Sequence, residues 1–179
     1  MTEKEEHAII LDFLPYGYPM EKHTNPIAQA IGIKTFSLLE LIPRRGVLLS
    51  PKEKVYIGPE KRDKIYYIAG RLHKEKLTET AKIQLQEFVE AVVGEQEKTF
   101  VEFFNNAQAM NTRLHQLELL PGFGKKHTRE IMEARKEKPF ASFEDIKARV
   151  KSIPDPKKAV EKRFIEELTV RQRFNLFVR

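Results

Sequence analysis

After Leu72 the spacing of apolar residues changes its period, and this one switch limits what the chain can fold into more than any other feature. Before it, short runs rich in Ile, Leu, Phe and Tyr are separated by turn residues; after it, apolar side chains recur at helical spacing and no strand signal returns. A chain with its strands first and its helices afterwards is expected to be α+β. The spacing predicts strands at Ala8 to Leu14, Ile33 to Ile42, Val47 to Leu49, Lys54 to Gly58 and Ile65 to Leu72. Pro15-Tyr16-Gly17-Tyr18-Pro19, Pro43-Arg44-Arg45-Gly46, Ser50-Pro51 and Gly58-Pro59 punctuate them. Short strands so closely spaced predict a small closed barrel of the OB type over residues 1–76. Glu21 to Gly32 does not read as a strand, and Asn25 ahead of Pro26 is expected to cap a short inserted helix.

From Thr78, a candidate N-cap, Ala81, Leu85, Phe88, Val89 and Val92 define a helix that Gly94 is expected to end. Phe100, Phe103, Phe104, Ala107 and Met110 mark a second one, its phenylalanines read as core between packed helices. Residues 77–110 form a helical connector on this reading, and residues 111–179 an all-α domain.

Charge separates along the chain. Residues 1–42 hold 3 Lys+Arg against 6 Asp+Glu, residues 43–76 hold 10 against 4, residues 77–110 hold 2 against 6, and residues 111–179 hold 17 against 10. Two basic blocks flanking an acidic one match the footprint of a polyanion binder, the alternative being salt-bridged helical surface. The chain has no cysteine, which excludes disulfides, thiolate metal sites and thiol nucleophiles and points to the cytoplasm. The apolar run from Ala8 to Leu14 is too short and wrongly flanked for a signal peptide or a membrane span, so no membrane association is expected.

One stretch carries a specific signal. Leu117-Glu118-Leu119-Leu120-Pro121-Gly122-Phe123-Gly124-Lys125-Lys126-His127-Thr128 resembles a helix-hairpin-helix motif. Leu114, Leu117 and Leu120 would form the face of a first helix that Pro121 and Gly122 stop; Gly124 would permit a tight reversal, Phe123 would plug the small core, and a second helix would begin near Lys125. In such a motif the glycines let the backbone approach a phosphate, N–H groups at the start of the second helix point at its oxygens, and Lys125 and Lys126 add charge. Contact of this kind fixes position without reading sequence. Thr128 stands where the motif usually has a small Ala. After Pro139 and Phe140, Ser142 is expected to cap a helix leading to a second hairpin, Val150 to Lys158, followed by a helix from Ala159 to Leu168. That copy holds Ser152 and Pro154 at the glycine positions, and Pro154 has no N–H to offer, so it reads as structural.

Competing chemistries fit less well. A P-loop needs a glycine five residues before the Gly-Lys step, where this chain has Leu119. DNA glycosylases with such hairpins place an aspartate about twenty residues on, near Asp145, but Glu144 and Asp145 follow Ser142 in a first helical turn that the helix dipole explains. The five histidines, His7, His23, His73, His115 and His127, show no metal-ligand spacing. No catalytic residue, metal or cofactor is expected.

All five tyrosines lie between residues 16 and 67, among or beside the basic block of Arg44, Arg45, Lys54, Lys61, Arg62 and Lys64. Basic and aromatic residues together suit a single strand, with Tyr56 a candidate contact; alternation predicts that only one of Tyr66 and Tyr67 faces outward. The alternative is that the tyrosines are amphipathic barrel residues with only their hydroxyls exposed. The order of barrel, connector and paired hairpins, with Ile42-Pro43-Arg44-Arg45-Gly46 and Lys54-Val55-Tyr56-Ile57-Gly58, resembles an uncharacterised archaeal family, the domain of unknown function 655. The resemblance implies an OB-like barrel plus helix-hairpin-helix protein that binds nucleic acid. The function expected is therefore non-enzymatic binding of nucleic acid, RNA slightly favoured over DNA. The alternatives are a protein-interaction scaffold using residues 78–110 and, ranked below it, a repair or processing enzyme.

Overall fold

The structure, a computed structural model, describes residues 3 to 178. Strands β1 (His7–Leu14), β2 (Ile27–Gly32), β3 (Leu38–Pro43), β4 (Lys54–Tyr56) and β5 (Ile65–Arg71) come first, followed by helices α1 (Glu79–Glu95), α2 (Glu97–Asn106), α3 (Lys125–Glu137), α4 (Phe143–Arg149) and α5 (Pro156–Thr169). The described residues form two compact units. One runs up to Glu87 and resumes at Glu167; the other is Phe88–Glu166.

In the first unit the five strands make one antiparallel sheet in the order β4-β1-β2-β3-β5, curled into a half-barrel. Ala8, Ile10, Ala28, Ala30, Leu41, Val55 and Ile65, from all five strands, share a single core. β4 and β5 are the two edges, and among the described residues no ladder joins them; an ion pair from Lys64 to Glu53 links the segments that lead into them.

Three strand readings need correction. Ile27–Gly32, expected to continue a helical insertion, is β2, paired on both sides. A strand buried on both faces loses the polar–apolar alternation by which strands are recognised, and Gln29 interrupts its apolar run. Ile33 to Ile42 is not one strand. Residues 33–37 are a turn that the Glu5 carboxylate holds by accepting the amides of Lys34 (2.8 Å) and Thr35 (2.6 Å). Val47 to Leu49 is no strand either, because Val47 closes the turn begun at Arg44, donating to its carbonyl at 3.1 Å, and Gly46 supplies the φ of +80° inside it.

A bulge in β1 leaves Leu11 without a cross-strand partner, so that Ile10 and Leu11 are both buried although they are neighbours. Beyond it, the Asp12 carboxylate accepts a hydrogen bond from the Thr78 hydroxyl (2.6 Å), and Thr78 in turn caps α1 by accepting from the Ala81 amide (3.0 Å). Fully buried Gln29 completes this junction. Its carbonyl accepts from the Thr78 amide, and its amino group donates to the Lys76 carbonyl (2.6 Å) and the Tyr18 hydroxyl (3.2 Å). Tyr18 donates to Glu40; burial, together with that carboxylate, pushes its phenol up to about 12.

The second unit is built on phenylalanines. Phe104 of α2, fully buried, sits 6.3 Å from Phe123 and 6.4 Å from Phe143 between ring centroids, and Phe100 lies 6.0 Å from Phe164. Arg135 of α3 satisfies the end of α2 by donating to the carbonyls of Phe104 (3.1 Å) and Ala107 (2.8 Å). Ser142 caps α4, as its position before Glu144 and Asp145 predicts.

Candidate nucleic-acid interface

The reversal from Leu120 to Lys125 begins without the expected first α-helix. Gln116–Leu119 is a single 3-10 turn. It starts late because residues 107–115 fold back on themselves, with a bridge from Ala109 to His115, and it stops early because Pro121 forces Leu120 into an extended conformation. A reciprocal cap holds it: the His115 Nδ1 accepts from the Leu117 amide (3.1 Å), while the Glu118 carboxylate accepts from the His115 amide (2.7 Å). Burial pushes the Glu118 carboxyl up, but that amide and the Lys125 ammonium outweigh it and hold it below the usual carboxylate range.

Gly122 has a φ of +82°, a conformation that only glycine adopts readily, and Pro154 Cγ lies 3.0 Å from where a Cβ would stand. Gly124 is different: its φ is −117° and nothing lies within 4 Å of a Cβ built there. Its backbone conformation is one that any residue adopts, and the space beside it is open. The Gly124 amide is not available, since it donates to His127 Nδ1 at 3.0 Å. The Phe123 amide is likewise used, on the Leu120 carbonyl, and its ring is buried beside Phe104 and His127.

What remains open is a set of four amides. Those of Gly122, Lys125, Lys126 and His127 have no acceptor within the described chain, the last three being the unpaired start of the 13-residue helix α3. The two lysines there differ. Lys125 donates to the Arg113 carbonyl (2.6 Å) and the Glu118 carboxylate (3.0 Å). Lys126 is more exposed and is 3.9 Å from Glu130, a loose pair.

The corresponding start of α5 leaves only the Lys157 amide open. The Asp155 side chain accepts from the Lys158 amide (3.1 Å), and Pro156, the first helical residue, has no N–H. Asp145 is also committed: its carboxylate accepts from the Ala141 amide (3.0 Å) and pairs with Arg149 (3.3 Å), both of which lower its pKa.

In the other unit, the basic and aromatic candidates divide into two groups. Arg44 and Arg45 border an open groove of about 790 Å³ together with Tyr66 and Tyr67. Both tyrosines are exposed, at 63% and 48%, which corrects the expectation that only one would be. Ile42 pairs with Tyr67 and Pro43 with Ile65, so Tyr66 is the extra residue of a bulge and the alternation breaks there. Tyr56, Lys54, Lys61, Arg62 and Lys64 do not border that groove. Tyr56 accepts from the Glu60 amide through its hydroxyl and packs on His7, a structural role. Arg62 donates to the Gly58 carbonyl and Lys64 pairs with Glu53, while Lys54 and Lys61 are exposed cations without a partner in the described chain.

The residues that sequence reasoning missed are those that decide which groups are free: His127, Glu118, Asp155 and the bulged Tyr66. Only Asp155 announced itself, as an Asp directly before a Pro that begins a helix.

The chain matches, over residues 4–179, the family described as "Protein of unknown function (DUF655)". An uncharacterized protein of Methanocaldococcus jannaschii, MJ0038, is 42% identical over 177 residues, covering 98% of this chain and 80% of the relative. The crystal structure of Af1531 from Archaeoglobus fulgidus, described under the same family, superposes with a TM-score of 0.82 at 44% identity, covering 97% of this chain and 99% of that one. The half-barrel and the helices that follow it are thus a shared architecture, and the chain belongs to the DUF655 family of proteins of unknown function.

Proposed function

We propose that this protein binds nucleic acid through the phosphate backbone, without reading sequence and without catalysing a reaction, with RNA slightly favoured over DNA. The observation that carries this reading is the set of free amides at Gly122, Lys125, Lys126 and His127, with Lys126 an exposed cation of the same helical turn. Amides at a helix start favour an anionic oxygen, and the helix dipole adds to the attraction. On this reading Leu114 to Glu137 serves as a helix-hairpin-helix variant whose first helix is one turn long, and the half-barrel serves as an OB-like second contact.

The second hairpin supports the preference for RNA. Its helix start already holds the Asp155 carboxylate, so the chain offers one phosphate cradle and not the pair that would suit symmetric gripping of a duplex. The scaffold alternative needs the phenylalanines of α2 at the surface, and the burial of Phe100 and Phe104 weighs against it. Asp145, bound to Ala141 and Arg149, lacks the freedom of a catalytic base.

The test is equilibrium binding of labelled RNA and DNA oligomers of unrelated sequence across a salt series. Log affinity is expected to fall linearly with log salt. Lys126→Ala should shrink the slope by about one unit and weaken all sequences alike, with a smaller effect from Lys125→Ala. A salt-independent interaction, or an unchanged affinity in the double variant, overturns the proposal.

A further inference from the structure

The bulge in β5 does more than break a pattern. By inserting Tyr66 between Ile65 and Tyr67 it exposes two consecutive rings at a sheet edge, 5.4 Å apart between centroids and inclined at 74°. Tyr56 and Tyr18 in this unit, both half-buried, commit their hydroxyls, Tyr56 accepting from the Glu60 amide and Tyr18 donating to Glu40. Tyr66 and Tyr67 have no hydrogen bond within the described chain and touch each other edge to face, so two large ring surfaces stand in water.

Their neighbours in the groove carry charge of one sign. Arg45 makes no ion pair or hydrogen bond in the described chain, and Arg44 spends only its Nε, on the Arg62 carbonyl at 2.7 Å. No carboxylate borders the groove. Flat aromatic faces together with negative charge complement both parts of this lining. A base-paired duplex hides its faces within the stack; an unpaired strand exposes both.

We infer that the Arg44–Arg45–Tyr66–Tyr67 groove is a base-stacking site for an unpaired segment of nucleic acid, the tyrosine rings taking bases and the two arginines the adjoining phosphates. At 74° the rings cannot lie parallel to the same base, so each offers its own face to a different one. This inference rests on the proposed function and adds the structural state of the polymer, single-stranded at this point. It leaves the α3 amides as a contact with phosphate alone.

The experiment compares the full chain with Tyr66→Ala, Tyr67→Ala, and the conservative Tyr66→Phe and Tyr67→Phe variants. The ligands are a labelled single-stranded RNA oligomer, an oligomer of equal length made of abasic units, and a duplex. Each Ala variant is expected to lose about ten-fold in affinity for the base-bearing single strand and to keep its affinity for the abasic oligomer, while the Phe variants bind as the parent does. Equal binding of the base-bearing and abasic oligomers by the parent chain, or Ala variants that bind the base-bearing strand undiminished, overturns the stacking site and leaves the phosphate grip standing. Failure of the parent chain to bind any oligomer overturns both. Far-ultraviolet spectra check that the variants fold, and because both side chains are exposed they are expected to match the parent.

Discussion

Gly122 and Gly124 are two residues apart and look interchangeable in the sequence, yet they answer to different constraints. Gly122 holds a φ of +82° against Pro154, so Gly122→Ala should cost about 1 to 2 kcal/mol of stability, a fall in melting temperature of a few degrees. Gly124 is extended and open, so Gly124→Ala should lower the melting temperature less than Gly122→Ala does, the cost being only that of Ala at a helix N-cap, while the added methyl obstructs an approaching phosphate. Parallel thermal melts and binding curves test the split; equal destabilisation by both would contradict it. The lysines that follow show the limit of what a sequence states. Gly-Lys-Lys announced a cationic turn, but which lysine is free depends on Glu118, seven residues before Lys125 and brought to it by a turn whose helical type the leucine spacing misjudged.

Elements that alternate or repeat cleanly were legible, and elements shaped by their neighbours were not. α1 and its cap at Thr78 follow from a hydroxyl residue ahead of a 3.6-residue period, and β1, β4 and β5 follow from apolar runs between turn residues. β2 escaped because it is an interior strand whose two faces are both covered, by the sheet core at Ala28 and Ala30 and, at Gln29, by the Lys76–Thr78 segment, information held in distant parts of the chain. Bulges escaped for a similar reason: nothing in Ile65-Tyr66-Tyr67 states that one residue will be skipped by the partner strand. The Thr78 cap joins two elements, since its hydroxyl serves the helix start and the Asp12 carboxylate at once. Thr78→Ala should destabilise the chain by about 1 to 2 kcal/mol, whereas Thr78→Ser keeps both bonds and most of the stability; urea titration of the two variants decides it. A loss no larger in Ala than in Ser would mean that the hydroxyl is idle.

For the molecule as a whole, the alternation of acidic and basic blocks pointed toward a polyanion, but block charge overstates what is available. Lys52, Lys64, Lys76, Lys82, Lys125 and Arg149 are paired with carboxylates, leaving a smaller set of cations that includes Arg45, Lys54 and Lys61 to meet a ligand. No described helix is long and apolar enough to cross a membrane. The junction at Tyr18 has a separate use. Because the chain contains no tryptophan, its near-ultraviolet absorption is dominated by tyrosine, and one of the five phenols ionises only at about 12 instead of 10. A folded state that holds this proton more tightly than the unfolded chain is stabilised below pH 10 and loses that advantage as alkalinity climbs toward 12. Spectrophotometric titration of phenolate should therefore show one late-ionising tyrosine, absent in Tyr18→Phe; a single transition centred near 10 for all five would refute it. That lagging chromophore gives the protein a label-free optical gauge of its own integrity, placed where the sheet hands over to the first helix.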